Sequence, residues 1–467
     1  MTGASLSSSL VEHGLDPAER SAKQSLFDLV LAAFGTLSSG RAPRHVLWVP
    51  GRLEVFGKHT DYAGGRTIVG AVPRGMLVAA SPRRDGAIHI VDARRRESVT
   101  LAPAGADQHR FRQRRGDPTC GGETGTPRPP GSSYTGWRHY AEVVARRLAH
   151  NFPGASTGAD IVIASDLPRA SGMSSSSALV VGLAAMLVRL ADVGARREWQ
   201  ENITSRLDAA GYYACIENGR TFGTLEGDAG VGTHGGSEDH AAILTGTPGH
   251  LAAFAFVPMR DLARVEVPPA WRFVLTPCGV RSSKTGASLV PYNRLSRGTQ
   301  VLLEIWNSAE PPAVSLGAAL GTVLAADGVG LGPRADPLGR LRELVRRSRV
   351  PDWSADALER RLEHFVREDA RIPVALDACR SADAALMGEA AAGSQADAEA
   401  LLGNQIPETS ALATSARRLG AFASCGFGAG FGGSVWALVE RHAAQEFASR
   451  WHNEAFVAVP GPPLTEL

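Results

Sequence analysis

The sequence predicts an α+β fold with more than one domain, and three observations support this prediction. The chain has 467 residues, and a typical domain size of about 150 residues gives two or three domains. Its hydrophobic fraction of 44% and charged fraction of 21% are those of a globular protein, which excludes an intrinsically disordered chain. Short apolar runs typical of strands also occur together with longer segments of helical periodicity.

The individual elements follow from this periodicity and from the turn residues between them. Residues 1–24 are polar and are interpreted as a loose lead-in. A strand over 45–49 should end at Pro50 and Gly51, which commonly terminate strands. Strands over 76–80 and 88–91 are predicted to pair across an Arg-Asp-Gly turn. The remaining predictions are helices over 25–36, 137–152, 174–188, 199–216, 297–308, 354–368, 373–391 and 441–451, and strands over 161–164, 251–256, 272–276 and 434–440.

Charge and composition exclude several classes of function. The net charge of +2 is spread along the chain, so neither nucleic acid nor an acidic membrane is an expected partner. The longest apolar run, over 178–188, is too short to span a membrane, and residues 1–24 do not have the pattern of a signal peptide. Five scattered cysteines without a C-x-x-C pair argue against a disulfide framework or a zinc site. We therefore expect a cytoplasmic protein that is a monomer or a weak homo-oligomer.

Lysine is unusually rare, and this bears on how a nucleotide could be bound. The only lysines are Lys23, Lys58 and Lys284. A P-loop requires Gly-Lys followed by Ser or Thr, and none of the three lies in that context. Any nucleotide phosphates would therefore have to be bound without a P-loop lysine.

The first motif that carries chemistry is PGRLEVFGKHTDYAGG over residues 50–65. A strand leads into a glycine-rich turn that presents Lys58, His59 and Asp61 within four residues. Such a dense set of donors and acceptors suits a polyhydroxylated ligand. The alternative is a solvated surface turn, and the spacing alone does not decide between the two.

The second motif is PRASGMSSSSA over residues 168–178, between a predicted strand and a predicted buried helix. Small residues let backbone N–H groups approach a phosphate, and the start of a helix adds free donors and the positive end of its dipole. The alternative is a polar helix cap with flexible linker residues. The third motif, over 425–439, has five glycines between positions 426 and 433, and such a loop can press against a ligand or another loop.

In this order and spacing, the three motifs resemble those of the GHMP kinase superfamily, and the first is most similar to the galactokinase motif at Gly51-Arg52, Gly57, His59-Thr60-Asp61-Tyr62 and Gly65. The resemblance covers about residues 43–440. It implies a two-lobed α+β fold with the active site in the cleft between the lobes. The implied divisions are a lead-in and helix over 1–42, a ribosomal-protein-S5-like lobe over 43–245 with an insertion at 103–133, and a ferredoxin-like lobe over 246–467.

The resemblance implies transfer of the γ-phosphoryl group of Mg·ATP to the anomeric hydroxyl of a sugar. Arg52 and Asp239 correspond to the family's catalytic arginine and aspartate. Asp239 would accept or orient the hydroxyl proton, and Arg52 would keep the carboxylate ionised and offset phosphoryl charge. Glu238 is a rival for the role of Asp239, which could also be a turn residue of a glycine-rich loop.

The resemblance also implies the residues that bind the two substrates and the metal. The sugar ligands would be Lys58, His59, Asp61, Gly236 and Tyr292. ATP would be bound by Gly172, Ser174, Ser175, Ser176 and Ser177, and Mg²⁺ by Ser176 and Glu217. Glu217 could equally lie at a solvated helix end, and Trp137 and Tyr140 could flank the adenine or pack in the core. Arg169 could contact phosphate or face solvent.

Two departures from the galactokinase motif concern the substrate. Lys58 replaces a glutamate that lies toward the 6-hydroxyl end of the sugar, and Glu54 replaces an asparagine. We consider two interpretations of Lys58. It could bind a carboxylate, as on a uronic acid, or turn away and pair with a carboxylate such as Glu54.

Two other functions remain open alongside a sugar-1-kinase. The same scaffold could serve as a non-catalytic sensor that binds sugar and ATP, although the presence of Arg52, Asp239 and the serine run favours catalysis. It could also phosphorylate a non-sugar alcohol such as mevalonate or homoserine, against which the run from His59 to Tyr62 argues.

Overall fold

The structure, a computed structural model, describes residues 1–102, 134, 136–155, 157–168, 172–280, 288–321 and 336–467. The predicted insertion at 103–133 and Arg169 lie outside these described residues. The described chain contains helices and two β-sheets, which confirms the predicted α+β class.

The helices and strands are numbered here in chain order. The helices are α1 (Gly3–Glu12), α2 (Arg20–Leu37), α3 (Trp137–Asn151), α4 (Ser175–Leu190), α5 (Arg197–Asn202), α6 (Arg206–Asn218), α7 (Glu238–Thr245), α8 (Leu289–Ala309), α9 (Leu316–Leu320), α10 (Pro337–Arg347), α11 (Ala355–Ser381), α12 (Ala384–Asp397), α13 (Pro407–Arg418) and α14 (Ala444–Trp451). The strands are β1 (His45–Phe56), β2 (Arg66–Arg83), β3 (Ile88–Asp92), β4 (Glu97–Leu101), β5 (Gly158–Ser165), β6 (His250–Ala255), β7 (Arg260–Glu266), β8 (Trp271–Pro277), β9 (Ala423–Phe427), β10 (Ser434–Glu440), β11 (Phe456–Ala458) and β12 (Thr465–Glu466).

Strand β2 organises the larger, eight-stranded sheet. The main order is β12-β1-β2-β5-β3-β4. The first part of β2 pairs with β6 and its last part with β5, while β1 runs antiparallel along its other edge. Strand β3 pairs in parallel with β5 and antiparallel with β4. The predicted pairing of the strands at 76–80 and 88–91 is therefore wrong, because β5 lies between them.

Strand β1 continues through Pro50 and Gly51, so the predicted end of the strand at residue 49 is also wrong. Pro50 still pairs with Gly75, and the register with β2 then shifts before Arg52 pairs with Ala71. Such an irregularity accommodates a proline without ending the strand. Because the strand continues, Arg52 and Glu54 lie in the protein interior, where both are buried.

The two faces of β1 pack against different helices, as the two-residue period of a strand requires. Leu47 and Val49 belong to the central core that includes α4. Val46 and Trp48 face a separate cluster formed with α1 and α2. Helix α1 lies within the segment predicted to be a loose lead-in, so that interpretation is wrong. Its leucines at positions 6 and 10 pack in this cluster, and Ser7 beside them is buried as well.

The smaller sheet has four antiparallel strands in the order β11-β8-β10-β9. Helices α13 and α14 cover one face, and α11 and α12 contribute to the core on the other. The β6–β7 hairpin follows the predicted domain boundary at 245/246 but extends the eight-stranded sheet. The eight-stranded sheet therefore contains strands from both sides of the predicted boundary.

Helices α8 to α11 form a further apolar cluster that packs against the turn after β1 through Tyr62 and Ala63. Helix α11 is continuous for 27 residues and contains Pro373, where the sequence predicted a break between two helices. The break occurs instead at Ala382, which has a positive φ of 52°. The turn that carries His59 and Asp61 is therefore supported by helices that lie between residues 289 and 381, far from it in the sequence.

Among the described residues, we find no helix that has both the length and the hydropathy of a transmembrane segment.

Candidate active site

Arg52 lies between two cavities. The inner cavity is lined mostly by polar residues: Arg52, Glu54, His59, Asp61, Tyr62, Ser177, Glu217, Asn218, Thr233, Gly235, Gly236, Glu238, Asp239, His240, Tyr292, Gly428 and Ala429. The outer cavity, of about 830 Å³, includes Arg52, Arg74, Trp137, Tyr140, Gly172, Ser174, Ser175 and Ser176 in its lining. A group bound in one cavity can therefore meet a group bound in the other beside Arg52.

The guanidinium of Arg52 is held by two adjacent carboxylates at the start of α7. Its Nε lies 2.6 Å and its Nη2 2.5 Å from Oδ1 of Asp239. Nη2 also donates to Oε1 of Glu238 at 2.8 Å, and Nη1 donates to the carbonyl of Gly172 at 3.3 Å. The predicted catalytic residues Arg52 and Asp239 are thus brought together, and Glu238 lies beside them.

Burial and charge act in opposite directions on these groups. Burial alone would lower the pKa of Arg52, but Asp239, Glu238 and Glu54 raise it above its usual value. Burial raises the pKa of Glu54, although Arg52 and Lys58 oppose this shift. Burial, and next the charge of Glu54, hold the pKa of Glu238 well above its usual value. The site therefore contains one permanently charged cation and carboxyl groups of unequal acidity.

Ser177 connects the helix α4 to the acidic residues of the site. Its Oγ lies 3.0 Å from Oδ2 of Asp239 and 2.9 Å from Oε2 of Glu217. Glu217 is only 5% exposed, so the interpretation of this residue as a solvated helix end is wrong. The hydroxyl that contacts Glu217 belongs to Ser177, whereas Ser176 lines the outer cavity.

The turn after β1 places His59 and Asp61 in the inner cavity. His59 has a positive φ of 57°, its Nδ1 lies 2.9 Å from the Tyr62 hydroxyl and its Nε2 3.1 Å from the carbonyl of Ala429. The Tyr292 ring centre is 5.4 Å from that of His59. Asp61 accepts from the backbone N–H of Glu238 at 3.2 Å. The predicted sugar ligands His59, Asp61 and Tyr292 therefore share one cavity.

Gly236 is packed against the carboxylate of Asp61. A Cβ atom at position 236 would lie 1.9 Å from Oδ2 of Asp61. We predict that Gly236→Ala turns this carboxylate away and raises KM for the sugar at least about tenfold, since overpacking of this kind costs about 1–3 kcal/mol. Steady-state kinetics at saturating ATP measure the effect. Gly194→Ala, at a glycine with open space around its Cβ and no positive φ, is the control and should leave KM within about threefold.

Lys58 points away from the inner cavity, so the prediction that it binds the substrate is wrong. Its ammonium group is fully buried and donates to Oγ of Ser394 at 2.8 Å. It also lies 3.2 Å from Sγ of Cys425 and 3.8 Å from Oε1 of Glu368. Burial opposes the charge, but Cys425 and Glu368 raise the pKa of Lys58 above its usual value. The second interpretation therefore holds, with Glu368 as the partner rather than Glu54.

The second motif forms the wall of the outer cavity. Ser174 adopts a left-handed conformation with a φ of 59° just before α4. Its hydroxyl is buried and without a hydrogen-bond partner among the described residues. Gly172, Ser175 and Ser176 lie in the same wall. A helix start with free donors and an unpaired hydroxyl fits an anionic oxygen.

The third motif presses against the second. A Cβ at Gly428 would lie 2.7 Å from the carbonyl oxygen of Gly172, and one at Gly172 would lie 3.1 Å from that of Phe427. The N–H of Gly428 donates to Oε2 of Glu54 at 2.7 Å. The glycines thus allow two loops to pack backbone to backbone. This is one of the two contacts predicted for the third motif, a ligand or another loop.

The aromatic residues of α3 line the outer cavity, but at different depths. Tyr140 is buried in the central core. Trp137 is half-buried and donates from Nε1 to Oε2 of Glu97 at 2.7 Å. Both border the cavity, so the two predicted roles, core packing and contact with a ligand, are compatible.

Sequence reasoning missed two supporting residues on α11. Arg361 donates to the carbonyl of His59 at 2.5 Å and to the Tyr62 hydroxyl at 3.1 Å. Oε1 of Glu368 accepts from the backbone N–H groups of Gly57 and Lys58 at 3.0 and 3.3 Å. Their positions about 300 residues away carry no local motif that could have revealed these contacts.

Comparisons with known proteins agree with this geometry. Three family models match the chain: the galactokinase galactose-binding signature over residues 33–82, the GHMP kinases N terminal domain over 139–218 and the GHMP kinases C terminal domain over 375–458. Galactokinase of Chloroflexus aggregans is 27% identical over 88% of this chain and 87% of its own length. Galactokinase of Streptomyces coelicolor is 26% identical over 90% of both chains.

Solved structures show the same fold. Lactococcus lactis galactokinase, crystallised in complex with galactose, superposes with a TM-score of 0.69 and 19% identity over 94% of this chain and 98% of its own. Methanococcus jannaschii mevalonate kinase gives a TM-score of 0.53 and 15% identity over 90% and 99% of the two chains. The chain thus matches the galactose-binding signature of galactokinases and both GHMP kinase domain models, and it resembles galactokinases over most of its length.

Proposed function

We propose that the protein transfers the γ-phosphoryl group of ATP to the anomeric hydroxyl of galactose or a closely related neutral hexose. The similarity to galactokinases indicates a phosphotransferase that acts on an alcohol group. The observation that carries the proposal is the position of Arg52, which borders both the polar inner cavity and the serine-lined outer cavity. The galactose-binding signature over 33–82 supports a galactose-like acceptor.

In this proposal the sugar occupies the inner cavity, and its reacting hydroxyl faces the carboxylates beside Arg52. His59, Asp61 and Tyr292 offer donors and acceptors for the other hydroxyls. Arg52 holds the carboxylates in place and stabilises the negative charge that develops on the transferred phosphoryl group. Because these groups are fixed before substrate binds, little reorganisation is needed during the reaction.

ATP would place its phosphates at the start of α4. The unpaired hydroxyl of Ser174 and the neighbouring hydroxyls of Ser175 and Ser176 fit phosphate oxygens. Magnesium is bound by oxygen ligands, of which usually only one or two are protein carboxylates. We propose that the ligands are the carboxylate of Glu217 and the hydroxyls of Ser176 and Ser177. Bound there, Mg²⁺ would neutralise phosphate charge.

The burial of Lys58 favours a neutral acceptor over a uronic acid. The basic group proposed to bind a substrate carboxylate is already engaged with Ser394, Cys425 and Glu368. The inner cavity itself is lined by five carboxyl groups and one guanidinium. An added substrate carboxylate would meet like charges there, which is unfavourable in a buried site.

An ATP-coupled assay with a panel of acceptors tests the proposal. We expect turnover with galactose and at least about 100-fold lower kcat/KM with galacturonic acid, mevalonate and homoserine, since a buried polar mismatch costs several kcal/mol. Preferred turnover of the uronic acid or of a non-sugar alcohol would contradict the proposed substrate class. Binding of ATP and sugar without turnover would instead support the non-catalytic sensor.

Ser177→Ala should impair catalysis while the fold is retained. The substitution removes the hydroxyl that lies between Asp239 and Glu217, and with it the single proton that this hydroxyl can donate to the two buried carboxylates. We expect kcat to fall about 10–100-fold, corresponding to a loss of about 1.4–3 kcal/mol. Ser175→Ala, whose hydroxyl lies on the outer cavity, is the matched control and should raise KM for ATP more than it lowers kcat.

A further inference from the structure

The wall between the two cavities is built from the first and the third motif. Among the described residues, Arg52 of the first motif and Ala429 of the third motif line both the inner and the outer cavity. Gly428, the residue before Ala429, lines the inner cavity. In the function proposed above, the sugar and the triphosphate meet at this wall, so the position of residues 428–429 matters for the transfer.

Glu54 connects the two parts of this wall through one carboxylate oxygen. Its Oε2 accepts from the backbone N–H of Gly428 at 2.7 Å and lies 3.5 Å from Nη1 of Arg52. The same Nη1 donates to the carbonyl of Gly172 at 3.3 Å, and a Cβ at position 428 would lie 2.7 Å from that carbonyl oxygen. Glu54 therefore fixes the position of the third motif relative to both Arg52 and the second motif.

His59 holds the next residue of the same loop. Its Nε2 lies 3.1 Å from the carbonyl oxygen of Ala429. Glu54 is only 1% exposed, and a hydrogen bond between buried groups is stronger than the same bond in water. Two consecutive residues of the third motif are thus held by strand β1 and the turn that follows it.

We propose that Glu54 is a positioning residue for phosphoryl transfer, which holds Gly428 and Ala429 in the wall beside Arg52; the proposal rests on the function proposed above. A wall fixed in this place keeps the acceptor hydroxyl and the γ-phosphorus aligned and excludes water from them. Arg52 already contacts the carboxylates of Asp239 and Glu238. What Glu54 adds is a hydrogen-bond acceptor for the loop, so a neutral acceptor of the same length should replace it.

A displaced wall should admit water as a competing acceptor. In the normal step, the sugar hydroxyl oxygen forms a bond to the γ-phosphorus as the bond from that phosphorus to the β,γ-bridging oxygen breaks. The hydroxyl proton passes to a carboxylate beside Arg52, and the electrons of the broken bond remain with ADP. In the competing step, a water oxygen forms the new bond, its proton passes to solvent, and the products are inorganic phosphate and ADP. The ratio of ADP to sugar phosphate therefore reports on the wall, whereas a smaller folded fraction would lower both products equally.

Glu54→Met and Glu54→Gln, assayed with galactose for both ADP and sugar phosphate, test the proposal. Glu54→Met keeps the length of the side chain without the acceptor oxygens. It should lower the rate of sugar phosphorylation at least about 100-fold and raise the ratio of ADP to sugar phosphate from about one to at least about two. Glu54→Gln keeps an acceptor for the N–H of Gly428 and should stay within about tenfold of the wild-type rate, with a ratio of about one.

Hydrogen–deuterium exchange of the peptide that contains Gly428 gives a readout that does not depend on activity. Its amides should exchange at least about tenfold faster in Glu54→Met than in the wild type, and at about the wild-type rate in Glu54→Gln. The proposal is overturned if Glu54→Met keeps the product ratio and the exchange rate of the wild type, or if Glu54→Gln is uncoupled as fully as Glu54→Met.

Cooperative thermal unfolding shows whether each variant is folded. If Glu54→Met is not, Gly428→Ala takes its place, because its Cβ would lie 2.7 Å from the carbonyl oxygen of Gly172 and displace the same loop. A product ratio of about one in that variant would then overturn the proposal. Wild-type protein that binds ATP and phosphorylates no sugar would contradict the proposed function, whereas coupled turnover in the wild type and in these variants would contradict this proposal alone.

Discussion

Arg52→Met should abolish most of the activity and destabilise the protein. The substitution leaves Asp239, Glu238 and Glu54 without the guanidinium that lies 2.5–3.5 Å from their oxygens. Removing one partner from a buried ion pair costs about 3–5 kcal/mol of folding free energy. Loss of a preorganised cation beside the transferred phosphoryl group lowers kcat about 10²–10³-fold or more. Urea unfolding and steady-state kinetics measure the two effects separately.

Arg52→Lys is the matched control, because it keeps the charge and loses the planar donor geometry. A lysine cannot contact Asp239 and Glu238 as Arg52 does through Nε and Nη2. We expect most of the stability to be recovered while kcat stays at least about tenfold below the wild type. A lysine variant with full activity would show that charge alone suffices and would contradict the geometric role of the guanidinium.

Lys58→Met should destabilise the protein strongly with little effect on which sugar it uses. The variant leaves Glu368 buried without its cation, although Arg371 still contacts Oε2 of Glu368 at 3.1 Å. Burial raises the pKa of Glu368, but Lys58 and Arg371 lower it below its usual value, so this carboxylate depends on both cations. We expect a loss of about 3–5 kcal/mol in the free energy of unfolding, measured by urea denaturation.

The double variant Lys58→Met/Glu368→Gln tests whether the loss of stability comes from the unpaired charge of Glu368. Because the second substitution removes the uncompensated charge, the double variant should be more stable than Lys58→Met alone. In both variants the ratio of kcat/KM for galactose to that for galacturonic acid should stay within about threefold of the wild type. A change in that ratio toward or away from the uronic acid would instead place Lys58 at the substrate.

The sequence was informative where a motif is local and less so where partners are distant. The turn with His59 and Asp61 and the serines before α4 are contiguous, and their resemblance to known motifs predicted which residues meet. The orientation of Lys58 depends on Glu368, about 310 residues away. The sequence around a buried lysine does not indicate which carboxylate will form an ion pair with it.

The errors in the predicted helices and strands also arise because the deciding contacts are distant in the sequence. Pro50 and Pro373 are strong local terminators, yet β1 and α11 continue through them. A register shift accommodates Pro50, and packing of Ile372, Ala375 and Leu376 in the central core outweighs the local preference at Pro373. The helix α1 was missed because its apolar residues are few, and their burial becomes evident only against α2 and β1.

A crystal structure with galactose and a non-hydrolysable ATP analogue tests the central claim most directly. We predict the sugar in the inner cavity, with its anomeric oxygen beside the carboxylates that contact Arg52, and the terminal phosphate at the start of α4 within reach of Arg52. The anomeric oxygen and the terminal phosphorus should face each other directly, beside Arg52. A sugar bound elsewhere, or a triphosphate that leaves Ser174 to Ser177 without contact, would contradict the account.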